Sequence, residues 1–367
     1  MNDGNKRTGF LLTSYYLEPV GLSAPDPLPG GEIISLCLGV SAGEIREAET
    51  IAEGLRRFLG GSGRRRRGSE CQAPPRRSSR GDGAREYPTS MPNPASLTDP
   101  TARIAAMAYS FATLIDRREI DTTGIAALLR ALEVTAIELM DRYLPTGRDG
   151  EIAEALARAG TQVVAFDASC DFVTPDAAAR RAEAERAKGL LARAACFGAR
   201  HALLVPGAMK PGIAPAEARR LAIDGLQRCV DEAVRLAITP SIENLGYQAA
   251  LCGRSEHLAE ICDAVGPALK VTFDAGNFLF ANESPLAALA RLAGRVSHVH
   301  LKDWVRGDPP TELTGAALGD GCVDLAGVLA ELARSGYTGW LSIEYEGPAD
   351  PRAAVRRGIA FLRAAAR

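Results

Sequence analysis

Ionisable side chains stand at the ends of four successive apolar segments in the second half of the chain. The segments end in SIEN, TFDAGN, HVHLKD and SIEYE, which contain Glu243, Asp274, His300 and Glu344. A buried ionised carboxylate is very costly unless it is paired or binds a metal ion. Three carboxylates and one neutral imidazole together carry about three negative charges, most of which a divalent cation would offset. The four residues therefore predict one metal site.

The segments that carry these residues belong to a regular alternation that begins near residue 100. Amphipathic helical patterns alternate with eight short, almost continuously apolar stretches, as in a parallel sheet that is covered on both faces. The predicted strands are 103–111, 135–140, 161–167, 201–207, 239–245, 269–276, 296–303 and 339–346. Eight strands with seven intervening helices and a final helix over about 265 residues predict a (β/α)8 TIM barrel, whose strand C-termini build the active site. An open α/β sheet is the competing prediction, but no GxGxxG motif follows the first strand.

The type of ligand narrows the choice of metal. Oxygen ligands with one imidazole suit Mn²⁺, Mg²⁺ or Co²⁺ better than a thiolate-preferring ion, although Zn²⁺ remains compatible. The chain has only four histidines, and two of them, His298 and His300, lie on the predicted seventh strand. Because side chains alternate along a strand, we expect at most one of these two to point into the barrel.

Residues 1–99 differ from the rest and are predicted to be a poorly structured N-terminal extension of the barrel domain, 100–367. GFLLTSYYLEPV and GEIISLCLGV could form strands, and AGEIREAETIAEGLRRFLG a short helix. From about residue 60 the chain is rich in Arg, Gly, Ser and Pro, so we expect it to be largely disordered. The run Arg64–Arg67 is typical of a solvated tail rather than a nucleic-acid site. A reading frame that starts too early is an alternative explanation of this segment.

The overall composition is that of an ordinary globular protein. Hydrophobic residues make up 46 %, charged residues 24 %, and the net charge is −2, so no overall field attracts nucleic acid or an anionic membrane. No apolar run reaches the ~18 residues of a membrane span. The N-terminus lacks a signal-peptide pattern, and no CxxC pair supports a zinc ribbon or a thioredoxin-like site. We therefore expect a cytoplasmic protein with no membrane partner.

Four motifs connect the candidate ligands with a known family. SIENLG, VTFDAGN, HVHLKDW and LGDGCVDLAGVLAELARSGYTGWLSIEYEG resemble the sugar phosphate isomerase/epimerase family, the xylose-isomerase-like TIM barrels. This family includes ketose 3-epimerases, hydroxypyruvate isomerases and inosose dehydratases. The resemblance covers about residues 100–367 and is densest from 239 to 347. It implies metal binding by Glu243, Asp274, His300 and Glu344, acid–base catalysis by the two glutamates, packing by His298 and a homo-oligomeric state.

The substrate contacts of the family's epimerases are kept only in part. Their arginine, six residues after the ligand histidine, matches Arg306, whereas Asn277 and Ala249 replace a histidine and a glutamate. We expect Arg306, Lys302 and Asn277 to contact the substrate. Glu138, which ends the predicted second strand, is expected to reach the same pocket. The departures leave the metal site intact but leave the substrate undetermined.

These observations predict a metal-dependent isomerase or epimerase of a small sugar or sugar phosphate. One glutamate would remove a proton next to a carbonyl, a metal-bound enediolate would form, and the other glutamate would return the proton. A dehydratase of an inosose-like polyol ketone would use the same chemistry and is the first alternative. A trinuclear-zinc abasic-site endonuclease needs more than four histidines and a stronger basic excess. A complete ligand set argues against a non-catalytic barrel.

Overall fold

Eight parallel strands form a closed barrel, which confirms the predicted (β/α)8 fold. The structure is a computed structural model and describes residues 103–307 and 312–365. The barrel strands are β1 Ile104–Met107, β2 Ala136–Met140, β3 Gln162–Ser169, β4 His201–Val205, β5 Thr239–Glu243, β6 Lys270–Asp274, β7 Val296–Leu301 and β10 Leu341–Ile343. Each strand pairs with its neighbours along the chain, and β10 closes the barrel by pairing with both β7 and β1.

Helices connect the barrel strands in the expected alternation. They are α1 Ala112–Asp116, α2 Thr122–Ala131, α3 Asp149–Arg158, α4 Ala177–Cys196, α5 Pro215–Arg235, α6 Ser255–Val265, α7 Pro285–Leu292, α8 Leu325–Arg334 and α9 Pro351–Ala365. Side chains cap several first turns: Asp121 accepts the Gly124 N–H at 2.8 Å, and Asp324 accepts the Gly327 N–H at 2.9 Å. The apolar faces of these helices join one core with the strands.

An antiparallel hairpin, absent from the predicted strands, follows β7. The predicted seventh strand reached residue 303, but β7 ends at Leu301, and Asp303–Arg306 forms β8, which pairs with β9, Leu313–Ala316. The carboxylate of Asp303 is buried and accepts backbone N–H groups at 2.9–3.1 Å from Trp304, Gly319, Gly321 and Val323. Asp303 therefore ties the start of the hairpin to the loop before α8.

Replacing Asp303 by alanine should lower the free energy of unfolding by at least about 1–3 kcal/mol, because buried backbone N–H groups lose their acceptor. Urea unfolding followed by circular dichroism measures the change. Asp231→Ala, at an exposed position of α5, is the control and should shift stability by less than about 0.5 kcal/mol. Equal stability of the two variants would contradict the structural role of Asp303.

The strands, helix and disordered stretch predicted within residues 1–99 lie outside the described residues. The boundary between this extension and the barrel domain therefore stays a prediction. Within 103–307 and 312–365, no helix is long and apolar enough to cross a membrane.

Candidate active site

Strand pairing brings the four predicted ligand residues to the same end of the barrel. Asp274 of β6 pairs with His300 of β7, which pairs in turn with Ser342 of β10, two residues before Glu344. Glu243 is the last residue of β5. One candidate ligand atom from each of the four residues lies within 4.8 Å of the others, and all four side chains are buried. Residues that are far apart in sequence thus form one compact polar cluster.

Backbone groups orient the Asp274 side chain. Its Oδ1 accepts the N–H groups of Gly276 at 2.7 Å and Asn277 at 2.8 Å. The side chain of Asn244, next to Glu243, exchanges two hydrogen bonds of 2.9 Å with the main chain of Asp274. These contacts fix the end of β6 against β5. Oδ2 of Asp274 has no hydrogen-bond partner within 103–307 and 312–365.

Lys302 places a buried ammonium group beside the cluster. Its Nζ lies 2.7 Å from Glu344 Oε1, 3.3 Å from Glu346 Oε2 and 3.5 Å from Asp274 Oδ2. Burial alone would lower the pKa of Lys302, but these carboxylates raise it well above its usual value. Burial opposes ionisation of Glu344, yet Lys302 and His300 lower the pKa of Glu344 to about 2. Lys302, predicted to contact substrate, therefore also neutralises part of the cluster.

Both ring nitrogens of His300 face carboxylates. Nδ1 lies 2.6 Å from Glu243 Oε1, and Nε2 lies 2.9 Å from Glu138 Oε1. Nδ1 is also 3.2 Å from Glu344 Oε2. No contact to this oxygen meets hydrogen-bond geometry in the described part of the chain. Burial lowers the pKa of His300, but Glu138 and Glu243 raise it well above its usual value.

The cluster has the donor set and the open acceptors that suit a divalent cation. Asp274 Oδ2 and Glu344 Oε2 are buried oxygens without hydrogen-bond partners among the described residues. Such oxygens are costly unless something satisfies them. Burial and the carboxylates of Glu344 and Glu243 raise the pKa of Asp274 well above its usual value despite Lys302. Oxygen ligands with one imidazole are the set that Mn²⁺, Mg²⁺ or Co²⁺ prefers, so these residues fit such an ion.

His298 and His300 both point into the barrel, so the expectation that at most one would do so was wrong. Side chains of successive residues alternate, and residues two apart therefore share a face of the strand. His298 Nε2 lies 2.9 Å from Glu138 Oε2, and its ring stacks on His201 with a centroid distance of 4.9 Å. The resemblance implied only packing for His298, but it also makes this buried polar contact.

The predicted substrate contacts occupy different environments. Glu138 is fully buried, and both its oxygens contact histidines; its predicted contact with substrate stays a prediction. Asn277 is buried and donates its backbone N–H to Asp274. Arg306 is exposed on β8.

Asp167 is a buried acid that the sequence analysis did not single out. It lies in β3 and is fully buried. Its carboxyl oxygens accept no hydrogen bond from the described residues, but as the neutral acid it can donate to the Glu138 carboxylate. Burial and the carboxylate of Glu138 raise the pKa of Asp167 well above its usual value, which favours the neutral acid. Asp167 is also a carboxylate at the end of a predicted strand. The pattern that identified the four candidate ligands could therefore have identified it too. Asn244 was missed as well, and only its position next to Glu243 pointed to it.

Comparison with known proteins supports the family resemblance. Residues 126–365 match the family model described as xylose isomerase-like TIM barrel. The rhizopine catabolism protein MocC of Rhizobium meliloti is 32 % identical over 114 residues, which cover 27 % of this chain and 35 % of MocC. An inosose dehydratase of Clostridium beijerinckii is 32 % identical over 88 residues, 20 % of this chain and 29 % of the relative. The chain thus matches about a third of the length of these curated relatives.

Solved structures share the fold at low sequence identity. The IOLI protein with a bound zinc atom superposes with a TM-score of 0.62 at 17 % identity, over 72 % of this chain and 97 % of that protein. The D-psicose 3-epimerase of Clostridium cellulolyticum H10, solved with D-tagatose, gives a TM-score of 0.59 at 14 % identity, over 72 % and 99 % of the two chains. At these identities the likeness shows the fold alone.

Proposed function

This chain belongs to the xylose isomerase-like TIM barrel family, and from that premise we propose that it is a metal-dependent isomerase or epimerase of a sugar or sugar phosphate. The observation that carries the proposal is the buried group of Glu243, Asp274, His300 and Glu344, with ligand atoms within 4.8 Å of one another. Moving a proton next to a carbonyl requires a base and a stabiliser of the developing oxyanion. This cluster contains groups of both kinds.

Glu243 and Glu344 are the proposed proton-transfer pair. They project from β5 and from the end of β10, and both lie close to Nδ1 of His300. One glutamate, as the carboxylate, takes a proton from carbon, and the other, as the carboxylic acid, donates its own proton to the opposite face for epimerisation or to the adjacent carbon for isomerisation. A divalent ion held by Glu243, Asp274, His300 and Glu344 would supply Lewis-acid stabilisation of negative charge on the substrate oxygens.

Other side chains complete the proposed site. Lys302 holds Glu344 ionised through its 2.7 Å contact with Oε1. Asn277 keeps Asp274 in place through its backbone N–H and belongs, with Arg306, to the proposed substrate contacts. Lys302 also contacts Glu346, whose side chain is 44 % exposed. The Lys302 ammonium group therefore connects the buried cluster with a carboxylate at the protein surface.

Solvent deuterium exchange tests the proposal without knowledge of the natural substrate. The Mn²⁺-loaded protein is incubated in D₂O with ketohexoses, ketopentoses, inososes and hydroxypyruvate, and products are analysed by NMR and mass spectrometry. We expect deuterium at a carbon next to the carbonyl of at least one compound, and no exchange after chelation of the metal. Absence of exchange across the panel would contradict the proposed chemistry.

A dehydratase of an inosose-like polyol ketone is the second candidate. Two observations favour it: curated relatives include inosose dehydratases, and Asn277 and Ala249 replace substrate contacts expected of an epimerase. Proton removal would use the same glutamates, but the intermediate would lose hydroxide instead of regaining a proton. A product lighter by one water molecule would identify this reaction, whereas a product of unchanged mass would identify an isomerase or epimerase.

A further inference from the structure

Glu138 lies between two imidazoles below the candidate metal site. Its Oε1 is 2.9 Å from Nε2 of His300, and its Oε2 is 2.9 Å from Nε2 of His298. Glu138 has no exposed surface, and the two histidines are 1 % exposed or less. The three residues come from β2 and β7 and lie in the barrel interior.

The two contacts fix the positions of the ring protons. An ionised carboxylate has no hydrogen to donate, so each Nε2 must carry the proton for its contact to be a hydrogen bond. A ring with an unprotonated Nε2 would instead place a lone pair against the carboxylate at 2.9 Å. A neutral imidazole that is protonated at Nε2 has its lone pair at Nδ1. In His300, Nδ1 is the nitrogen that faces Glu243, at 2.6 Å, and Glu344. By the same argument a proton lies between Nδ1 and Glu243 while no ion is bound, and an ion bound at Nδ1 would take the place of that proton.

We propose that Glu138 is a positioning residue that holds His300 in the Nε2–H tautomer and so presents Nδ1 to the candidate metal site. This inference rests on the metal site of the proposed function. His298 supports the arrangement by donating to the second oxygen of Glu138, which keeps the carboxylate from rotating away from His300. Metal-binding histidines commonly donate their other ring N–H to a carboxylate, which orients the ring and raises its basicity.

A second cation at Glu138, His298 and His300 is the competing explanation of the same cluster, because these residues also have ligand atoms within 4.8 Å of one another. The hydrogen bonds argue against it. The carboxylate oxygens of Glu138 and both Nε2 atoms are already paired at 2.9 Å. The neighbouring Asp167 is the group there whose carboxyl oxygens lack a donor among the described residues. A cation beside Glu138 would have to displace the Nε2 protons of His298 and His300.

The tautomer of His300 can be measured directly in the wild-type protein. Long-range ¹H–¹⁵N correlation spectra of Zn²⁺-loaded protein labelled with ¹⁵N-histidine show which ring nitrogen carries the proton. The chain has four histidines, so single substitutions assign every ring. We expect a proton on Nε2 of His300 and none on Nδ1. A proton on Nδ1 of His300 in the loaded protein would overturn the inference.

Substitution of Glu138 gives an independent test through metal affinity. Glu138→Gln should weaken Mn²⁺ binding by about 10–100-fold, because the neutral amide that replaces the Glu138 carboxylate does not raise the basicity of the His300 ring. The visible absorption spectrum of the Co²⁺-loaded variant should also change, which a purely structural role would not cause. Glu154→Gln, whose partner Arg158 lies 3.2 Å away on the surface of α3, is the matched control and should bind Mn²⁺ like wild type.

The outcomes separate this inference from the proposed function. A wild-type protein that binds no divalent ion would remove the metal site and the inference together. A wild-type protein that binds one ion, with unchanged Mn²⁺ affinity in Glu138→Gln, would overturn the positioning role alone. Two bound ions in wild type, of which Glu138→Gln loses one, would support the second cation site instead.

Discussion

Replacing Glu243 by glutamine should reduce turnover by about 10²–10⁴-fold, the usual contribution of a positioned acid or base. Glutamine is close in size to glutamate but cannot take up or return a proton. Glu243 is buried at the end of β5, and its Oε1 lies 2.6 Å from His300 Nδ1. The rate is measured as deuterium exchange with a substrate found in the panel, at saturating Mn²⁺, so that weaker metal binding does not account for the loss.

Glu217→Gln provides the control for this change. Glu217 lies in the first turn of α5 and contacts Arg220 on the protein surface, so the same chemical substitution there should leave the rate unchanged. Circular dichroism establishes that both variants are folded. Wild-type turnover in Glu243→Gln would rule out proton transfer by this residue.

Saturating Mn²⁺ should raise the melting temperature of the wild-type protein by roughly 5–10 °C, and a chelator should reverse the change. An ion present at about 100 times its dissociation constant stabilises the folded state by about 2.7 kcal/mol, and each kcal/mol corresponds to about 2–4 °C in a domain of this size. The ion would satisfy Asp274 Oδ2, which is buried and has no hydrogen-bond partner among the residues that the structure describes. Asp274→Asn should therefore lose most of the Mn²⁺ effect.

A surface substitution distinguishes site binding from a general effect of the ion. Asp263→Asn changes a side chain of α6 that is 67 % exposed and lies 2.7 Å from Arg295. Its Mn²⁺-induced shift should equal that of wild type. If Asp263→Asn and Asp274→Asn respond to Mn²⁺ equally, the ion does not bind at the proposed cluster.

The sequence located the strands well but not their ends. The runs that predicted strands at 296–303 and 339–346 contain β7, Val296–Leu301, and β10, Leu341–Ile343. Strand ends depend on which neighbouring backbone groups are available for pairing when the barrel closes, and hydrophobicity does not encode this. The hairpin that begins at Asp303 depends on hydrogen bonds to a loop 16–20 residues later, which a local pattern cannot show.

The sequence by itself determined the barrel and the four residues at its strand ends, because apolar periodicity reports burial and parallel strands must end at one face. Only the tertiary structure decided how those residues are held. Glu138 and His300 are 162 positions apart in the chain. They meet because β2 and β7 both direct side chains into the barrel interior. Asn244 likewise makes its two hydrogen bonds to the main chain of Asp274 only because β5 and β6 are neighbours. Residue type and spacing therefore predict which groups gather, whereas protonation, orientation and support depend on contacts between distant strands.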